Sequence, residues 1–274
     1  MEAFYSGVSL YDPKGLFIDS IDGWGSNVDI KTNTMYGVDG TTITGQDIQS
    51  KEITLNILLG TEADKALLRQ TFKLKDTGYL IIDGKKIECV VKSIEISYKR
   101  PWIAEVILYA PSPFYSDEYG SGTAQMRGEN DVLEFDIELP EDDALELSII
   151  NDRGAVAISN NGDVDIGCII TVVARQAASG IKITNADTGA YMALDYSVFA
   201  GAKVIFDTRA GHKSITIRQI GATDESAVDI TRFIKWQSEF IQLATGKNRL
   251  HITADTGLEG ISANVSYAAL YGGI

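Results

Sequence analysis

The sequence predicts a mainly β protein with a single helix, and three observations support this. Glycine is abundant, with 26 residues, whereas proline is scarce, with 5, as expected for many turns between strands. Apolar and polar residues alternate with a period of two in the first half, for example at Ile53, Leu55 and Ile57. In the second half, short strand-like runs recur roughly every 8 to 12 residues between glycine or Asn-Gly turns.

In the first half, a strand is predicted over Ile53–Leu59 and is followed by the one helical pattern of the chain. Thr61 is a suitable N-cap, and Asp64 three residues later completes a capping box. The helix, predicted over Thr61–Phe72, carries an apolar stripe that would pack on a sheet. This stripe consists of Ala63, Leu67, Leu68 and Phe72.

A long β-hairpin is predicted after Gly78. Its arms are Tyr79–Ile82 and Ile87–Tyr98, and the Asp83-Gly84 pair between them is a strong hairpin turn signal. A further strand follows from Trp102 to Ala110. Arms of this length suit either contact with a neighbouring subunit or packing against their own sheet. We expect this hairpin and the helix to contribute to subunit contacts.

The sequence also predicts two domains, residues 1–125 and residues 126–274. Pro111 and Pro113 end regular strand pairing because proline donates no ladder hydrogen bond. Ser116–Gly128 is rich in glycine, serine and acidic residues, which indicates a linker. The first domain is expected to be a β-sheet or sandwich with one helix. The second is expected to be an antiparallel sandwich, starting with strands at Glu134–Leu139 and Glu146–Ile150.

Composition restricts the class of function. Hydrophobic residues make up 45% and charged residues 23% of the 274 residues, which is normal for a globular protein. The net charge of −14 repels DNA phosphates, so sequence-specific nucleic-acid binding is not expected. The acidic charge has two interpretations, a generally soluble surface or the wall of a pore along which DNA slides.

The two cysteines and the apolar runs give expectations about environment. Cys89 and Cys168 lie in apolar runs, so buried free thiols are favoured over a disulfide. No Cys-x-x-Cys pair is present, which argues against structural zinc. Met1–Ser6 lacks the features of a signal peptide. Apolar runs such as Cys168–Ala174 are too short to span a bilayer, so no membrane insertion is expected, and folding in a cytoplasm is predicted.

The sequence offers little for catalysis, and we predict no catalytic, cofactor-binding or metal-binding residue. His212 lies in a polar turn and His251 on a strand, and no Gly-x-Ser-x-Gly motif presents a nucleophilic serine. Asn160–Asp165 resembles a calcium loop only superficially, because the spacing and terminal glutamate of an EF-hand are missing. A tight Asn-Gly turn explains these residues better.

Three aromatic residues are candidates for stacking on a saccharide ring, as exposed aromatics on β-sandwiches can do. They are Trp236, Tyr191 and Tyr196. For each, packing in the core is the favoured alternative because large aromatics usually fill interiors.

Several short motifs of the second half occur in the order typical of one known family. They are Asn161-Gly162-Asp163, the run Ile183–Gly189 with its Asn and Thr-Gly, the hairpin Asp207–Ser214 and the segment Phe240–Asn248. In the first half, Tyr109–Tyr115 contains Ala-Pro-x-Pro-Phe-Tyr after an apolar strand. With these motifs the chain resembles the distal tail proteins of bacteriophages with long non-contractile tails. It departs from the family at Asp165-Ile166, where proline is common.

The resemblance implies a structural virion protein of the distal tail or baseplate. It implies a homo-oligomeric, typically hexameric, ring formed by the N-terminal domain around a channel for DNA, and a C-terminal sandwich similar to galectins and carbohydrate-binding modules. The implied partners are further copies of the chain, the tail tube protein, the tail-tip hub protein and, in some members, receptor-binding proteins. The implied location is the tail tip, after assembly in the host cytoplasm.

Two other classes of function remain open from the sequence. One is a carbohydrate-binding adhesin that recognises a host cell-surface saccharide through Trp236. The other is a hydrolase whose carboxylate pair is hidden among the many acidic residues.

Overall fold

The computed structural model describes residues 2–12, 15–37, 39–127 and 155–273. The chain divides into two compact units. Unit 1 comprises Met1–Gly120 and Leu270–Ile274, and unit 2 comprises Ser121–Ala269. The domain division at residues 125 and 126 stays a prediction. The strands expected at Glu134–Leu139 and Glu146–Ile150 lie outside the described residues.

Among the described residues, unit 1 contains one α-helix, nine strands and the first part of a tenth. In chain order, these elements are β1 (Ala3–Tyr5), β2 (Val8–Ser9), β3 (Phe17–Asp22), β4 (Val28–Asn33), β5 (Thr42–Ile48), β6 (Lys51–Leu59), α1 (Glu62–Thr71), β7 (Thr77–Ile82), β8 (Lys85–Ile96), β9 (Trp102–Ala110) and β10 (Tyr115–Arg127).

The strands of unit 1 form an antiparallel sheet in the order β3-β6-β9-β8-β7-β1-β2. The longest pairing joins β6 to β9 over nine residues, from Lys51 opposite Ala110 to Leu59 opposite Trp102. The apolar residues of β6 at every second position are buried, including Ile53, Leu55 and Ile57. The period-two pattern in the sequence therefore marks the face of this strand that turns to the core.

Helix α1 covers the core of unit 1, and its start agrees with the predicted capping box. The backbone N–H of Asp64 donates to Thr61 Oγ1 at 3.2 Å, and the Thr61 N–H donates to Asp64 Oδ2 at 2.8 Å. Leu68 is buried on the helix, and Phe72 stacks on Tyr5 with ring centroids 4.4 Å apart. The helix is thus fixed by its cap and by part of the predicted stripe, because Leu67 is half-buried and Leu68 and Phe72 are buried, whereas Ala63 is exposed.

The segment predicted as a linker, Ser116–Gly128, is instead largely strand β10. Ser116 and Asp117 pair with Lys86 and Lys85 of β8. Strand pairing with an existing edge thus outweighs the weak strand preference of its glycines and acidic residues. The mainly β fold and the single α-helix are confirmed for the described residues.

Unit 2 is built from strands and three short 3₁₀ turns. Its strands after β10 are β11 (Ala155–Asn160), β12 (Ile169–Ala174), β13 (Lys182–Asn185), β14 (Tyr191–Ala193), β15 (Ala202–Asp207), β16 (Ser214–Gln219), β17 (Val228–Asp229), β18 (Gly246–Thr253) and β19 (Ile261–Tyr271). The 3₁₀ turns are Asp224–Ser226, Thr231–Phe233 and Leu258–Gly260.

Two antiparallel sheets make up the sandwich of unit 2. One has the order β17-β16-β15-β12-β19, and the other has the order β11-β18-β13-β14. Both sheets bury alternate residues, for example Ile170 and Val172 of β12 and Leu250 and Ile252 of β18. The predicted antiparallel sandwich is therefore confirmed.

The sequence predicts a strand over Phe240–Leu243, but the structure shows an irregular segment in which only Leu243 forms an isolated antiparallel bridge, with Ile166. Three buried asparagines contact this region. Asn160 Nδ2 donates to the carbonyl of Leu243 at 3.1 Å. Asn248 Nδ2 donates to the carbonyl of Ala244 at 2.7 Å, and its Oδ1 accepts from the Ala244 N–H at 2.9 Å. Asn185 Nδ2 donates to Asn248 Oδ1 at 3.0 Å. Side-chain amides thus satisfy backbone groups of Leu243 and Ala244, in addition to the two backbone hydrogen bonds that Leu243 exchanges with Ile166.

Both cysteines are free and buried, as predicted. Burial raises the pKa of the Cys89 thiol to about 12 and that of the Cys168 thiol to about 11. Both thiols are therefore protonated at neutral pH, and the thiolate is the reactive form.

We expect the native protein to be inert to Ellman's reagent at pH 8 and to expose two reactive thiols in denaturant. Absorbance at constant reagent concentration, with and without guanidinium chloride, measures this. Rapid stoichiometric reaction of the native chain would contradict the burial of the thiols.

Candidate functional site

The most exposed regular element is a two-stranded hairpin formed by β4 and β5, here called the arm (residues 28–48). All six residues of β4 and six of the seven residues of β5 are exposed. The two strands pair only with each other, as a separate sheet. The tip also exposes Met35 and Tyr36.

The arm has one apolar and one polar face. Val28 pairs with Ile48, Ile30 with Gln46, and, beyond a bulge, Thr32 with Ile43. Residues that pair across the strands lie on the same face, so four aliphatic side chains share one side. The opposite face carries the pairs Asp29–Asp47, Lys31–Gly45 and Asn33–Thr42.

The apolar face of the arm is not covered by the described residues of the chain. Val28, Ile30, Ile43 and Ile48 are between 38% and 54% exposed. A single two-stranded hairpin is at best marginally stable in water, and contiguous exposed apolar surface marks interaction sites. The arm is therefore the best candidate for an assembly contact in unit 1.

A buried lysine connects the segment that enters the arm with the segment that leaves it. Lys51 Nζ donates to the carbonyl of Gly272 at 2.7 Å and to that of Trp24 at 3.3 Å. It also lies 4.4 Å from the centroid of the Tyr115 ring, and the Tyr115 hydroxyl donates to the same Trp24 carbonyl at 3.2 Å. Burial lowers the pKa of Lys51. These contacts hold the segments that enter and leave the arm, together with the C-terminal segment of unit 1.

Glycine is required at the entry to the arm. Gly23 has φ of 80°, and a Cβ atom there would lie 2.1 Å from the carbonyl oxygen of Glu52. Any side chain would push the entering segment away from β6, so the close backbone approach fixes where the arm begins.

A first groove, called the helix groove, lies beside α1. Its floor is formed by Ile94, Ile96 and Trp102, and Tyr98 stands fully exposed at its edge. Lys65 and Arg69 of α1 supply positive charge, and the lining contains no carboxylate. Lys65 Nζ lies 3.2 Å from the centroid of the Trp102 ring. The volume is about 620 Å³.

A second groove of about 500 Å³ lies at the start of α1. Phe17, Leu58 and Ala63 provide its apolar surface. Its charged residue is Asp64, which is held by the capping box. The two grooves of unit 1 thus differ in charge.

The hairpin expected at Tyr79–Tyr98 to reach a neighbour lies mostly within the sheet. β7 pairs with β1 and β8, and β8 pairs with β9. Its distal end and α1 instead line the helix groove. The arm was not predicted from the sequence, although Val28, Ile30, Ile43 and Ile48 alternate with polar residues as in the predicted strands.

The three saccharide candidates lie in different environments. Trp236 is 92% exposed, in a turn where the Ser238 N–H donates to the carbonyl of Lys235 at 3.1 Å. Core packing of Trp236, favoured by the sequence analysis, is therefore wrong. Tyr196 packs on Phe233 with ring centroids 5.0 Å apart, and Lys182 Nζ lies 4.4 Å from the centroid of the Tyr191 ring. Both tyrosines are half-buried.

The histidines lie where the sequence placed them, in the turn before β16 for His212 and on β18 for His251. Within residues 2–12, 15–37, 39–127 and 155–273, no group of three His, Cys, Asp or Glu side chains is arranged to hold a metal ion. Over the same ranges, no helix is both long and apolar enough to cross a membrane.

Comparison with known proteins gives one family match within the second half. Residues 161–270 match the family model of the siphovirus-type tail component, C-terminal domain. Four of the motifs noted in the sequence fall within this range, and the buried Asn185, Thr208 and Asn248 belong to them. No curated protein sequence matches the chain.

A solved structure shares the fold over 97% of this chain. The crystal structure of the Dit (gp 19.1) protein of phage SPP1, described as a paradigm of the hub adsorption apparatus in phages infecting Gram-positive bacteria, matches with a TM-score of 0.67. The alignment has 14% identity and covers 97% of this chain and 98% of that one. At this identity, the match establishes a common fold.

Two structures of the phage P2 baseplate in its activated conformation, with Ca and with Sr, also match. Each has 8% identity and covers 94% of this chain and 92% of the other, with TM-scores of 0.47 and 0.49. At TM-scores below 0.5, these two matches carry no further structural argument. The resemblance to distal tail proteins is confirmed by the family match and the SPP1 Dit fold.

Proposed function

We propose that this chain, whose second unit belongs to the siphovirus-type tail component family, forms a homohexameric ring at the distal end of a phage tail. The family and the fold make it a structural protein of the phage tail. In the proposed ring, the chain joins the tail tube to the tail-tip hub and leaves a central channel for DNA.

The main observation that supports a ring is the exposed apolar face of the arm. Four aliphatic side chains on an isolated two-stranded ribbon gain stability only when another surface covers them. A contact between two different surfaces of identical chains is head-to-tail, and such contacts close into a ring when the rotation permits. A neighbouring copy of the same chain could therefore cover the apolar face of the arm, with no other protein needed.

The proposed partners beyond the ring are the tail tube protein, the tail-tip hub protein and a receptor-binding protein. The SPP1 Dit structure is described as a paradigm of the hub adsorption apparatus, and we extend that setting to this chain. Assembly would take place in the cytoplasm of the host before the tail joins the virion. The net charge of −14 suits a channel wall that DNA passes without binding.

The absolute mass of the purified protein tests the ring. Light scattering should give six times the 29.7 kDa chain, and negative-stain images of the same peak should show a central hole. A monomer at every concentration up to about 100 μM, well above the μM affinities of weak specific contacts, would reject self-assembly by this chain alone.

A second candidate function, saccharide binding by unit 2, is favoured by the exposure of Trp236. An indole that is 92% exposed is free to stack on a sugar ring, and exposed aromatic rings are also hot spots for protein partners.

We expect binding of the protein to purified host cell-wall polysaccharide to fall about tenfold or more in Trp236→Ala, in line with the roughly 2 kcal/mol typical of an aromatic hot spot. Isothermal titration calorimetry measures this. Phe199→Ala, which removes another exposed aromatic ring of unit 2, is the matched control. Equal binding by both variants, or no binding by the wild type, would remove this candidate.

A further inference from the structure

We propose that the arm of one copy docks into the helix groove of the next copy, so that these two surfaces form the repeating contact of the ring. This inference rests on the proposed function, because it specifies which surface receives the arm. It assigns the donor surface to residues 28–48 and the acceptor surface to α1, the end of β8 and the start of β9.

Apolar surface is available on both sides of this contact. The arm offers Val28, Ile30, Ile43 and Ile48 on one face. The helix groove offers the half-buried Ile94, Ile96 and Trp102, with the exposed Tyr98 at its edge. Aromatic residues of this kind are enriched at the centres of protein interfaces. Docking would cover the two exposed apolar surfaces together.

Charge favours the helix groove over the second groove. The arm carries Asp29, Asp39 and Asp47 against one cation, Lys31, which is paired with Asp47. No carboxylate lines the helix groove, and its cations are Arg69 and Lys65, of which Lys65 is ion-paired with Glu62 at 3.0 Å. The second groove has Asp64 as its charged lining residue, which would repel the arm. Complementary charge selects a partner surface and suppresses the wrong one.

The contact is head-to-tail because the arm and the helix groove are different surfaces of unit 1. Each copy therefore has one donor and one acceptor, and an uncapped acceptor remains at the end of any open chain of copies. This property makes the contact testable without knowing the exact register in which the arm lies.

The test uses two variants that each lack one surface. A donor variant carries Ile30→Asp and Ile43→Asp in the arm, and an acceptor variant carries Arg69→Glu and Tyr98→Asp in the helix groove. All four side chains are exposed, so the fold should survive, which circular dichroism verifies. The control variant, Lys73→Glu with Leu74→Asp, makes the same change in charge as the acceptor variant, but at exposed positions that do not line the helix groove.

We expect each variant alone to be monomeric, the control to form the wild-type oligomer, and an equimolar mixture of donor and acceptor variants to form a 1:1 dimer. In that mixture, one intact arm meets one intact groove, and further growth is blocked. Light scattering gives the mass, and reversing the charge of the groove should weaken the contact about tenfold or more.

Three results would overturn the inference, and they separate it from the proposed function. An acceptor variant that still forms the wild-type ring leaves the ring in place and rejects the groove. A mixture that stays monomeric rejects the pairing of arm and groove, whereas a wild-type protein that never self-associates rejects both proposals.

Discussion

Ile30→Asp should convert the oligomer into a monomer. Burial of an isoleucine side chain contributes about 1.5–3 kcal/mol, and a carboxylate in the same place must also be desolvated without a partner. We therefore expect each contact to lose about 3 kcal/mol or more, which is roughly a hundredfold in the dissociation constant. Sedimentation velocity across a concentration series measures this loss.

The matched control for this prediction is Thr42→Asp. Thr42 lies on the same arm but on its polar face, opposite Asn33, so the added charge is the same and the apolar face is intact. An arm that serves assembly predicts a monomer for Ile30→Asp and an oligomer for Thr42→Asp. Equal behaviour of the two variants would show that the apolar face of the arm is not buried in the assembly.

The second large effect is expected from Asn248→Ala in unit 2. This side chain is fully buried and makes hydrogen bonds with Asn185 Nδ2 and with both backbone groups of Ala244. Each buried group left without a partner costs about 1–3 kcal/mol. We expect a total loss of about 3–5 kcal/mol in the free energy of unfolding, a large share of the roughly 5–15 kcal/mol of a typical domain.

Urea unfolding followed by far-ultraviolet circular dichroism tests this expectation, with allowance for two transitions because the chain has two units. The control is Asn161→Ala, an exposed asparagine in the same unit, for which we expect a change within about 0.5 kcal/mol. A loss below about 1 kcal/mol for Asn248→Ala would mean that water or a shifted backbone replaces its hydrogen bonds.

The same network gives a structural role to Asn185 and Asn248, which belong to two of the motifs in the second half. Asn160 donates to the carbonyl of Leu243, Asn185 to that of Gln242 and Asn248 to that of Ala244. An amide side chain can donate and accept at once, so asparagine suits this purpose at each position. The motifs are therefore structural, and they carry no implication of a catalytic site.

Local patterns were sufficient to predict most of the fold. The period-two alternation of β6, the capping box of α1 and the Asp83-Gly84 turn each depend on residues only a few positions apart. Such short-range interactions can be recognised directly from the sequence. Two segments were predicted wrongly for the opposite reason. The predicted linker belongs to a strand whose residues Ser116 and Asp117 pair with β8. Phe240–Leu243 is irregular, with a single bridge from Leu243 to Ile166 and side-chain amides bound to its carbonyls.

The mainly β class, the single helix, the free cysteines and the resemblance to distal tail proteins could all be predicted from the sequence. Which apolar residues stay uncovered became apparent only in the folded protein. Val28 and Ile30 of the arm alternate just as Ile53 and Leu55 of β6 do, yet the first pair is exposed and the second is buried. Trp236 is likewise exposed. Periodicity fixes which side of a strand is apolar, whereas burial depends on distant parts of the chain that cover it.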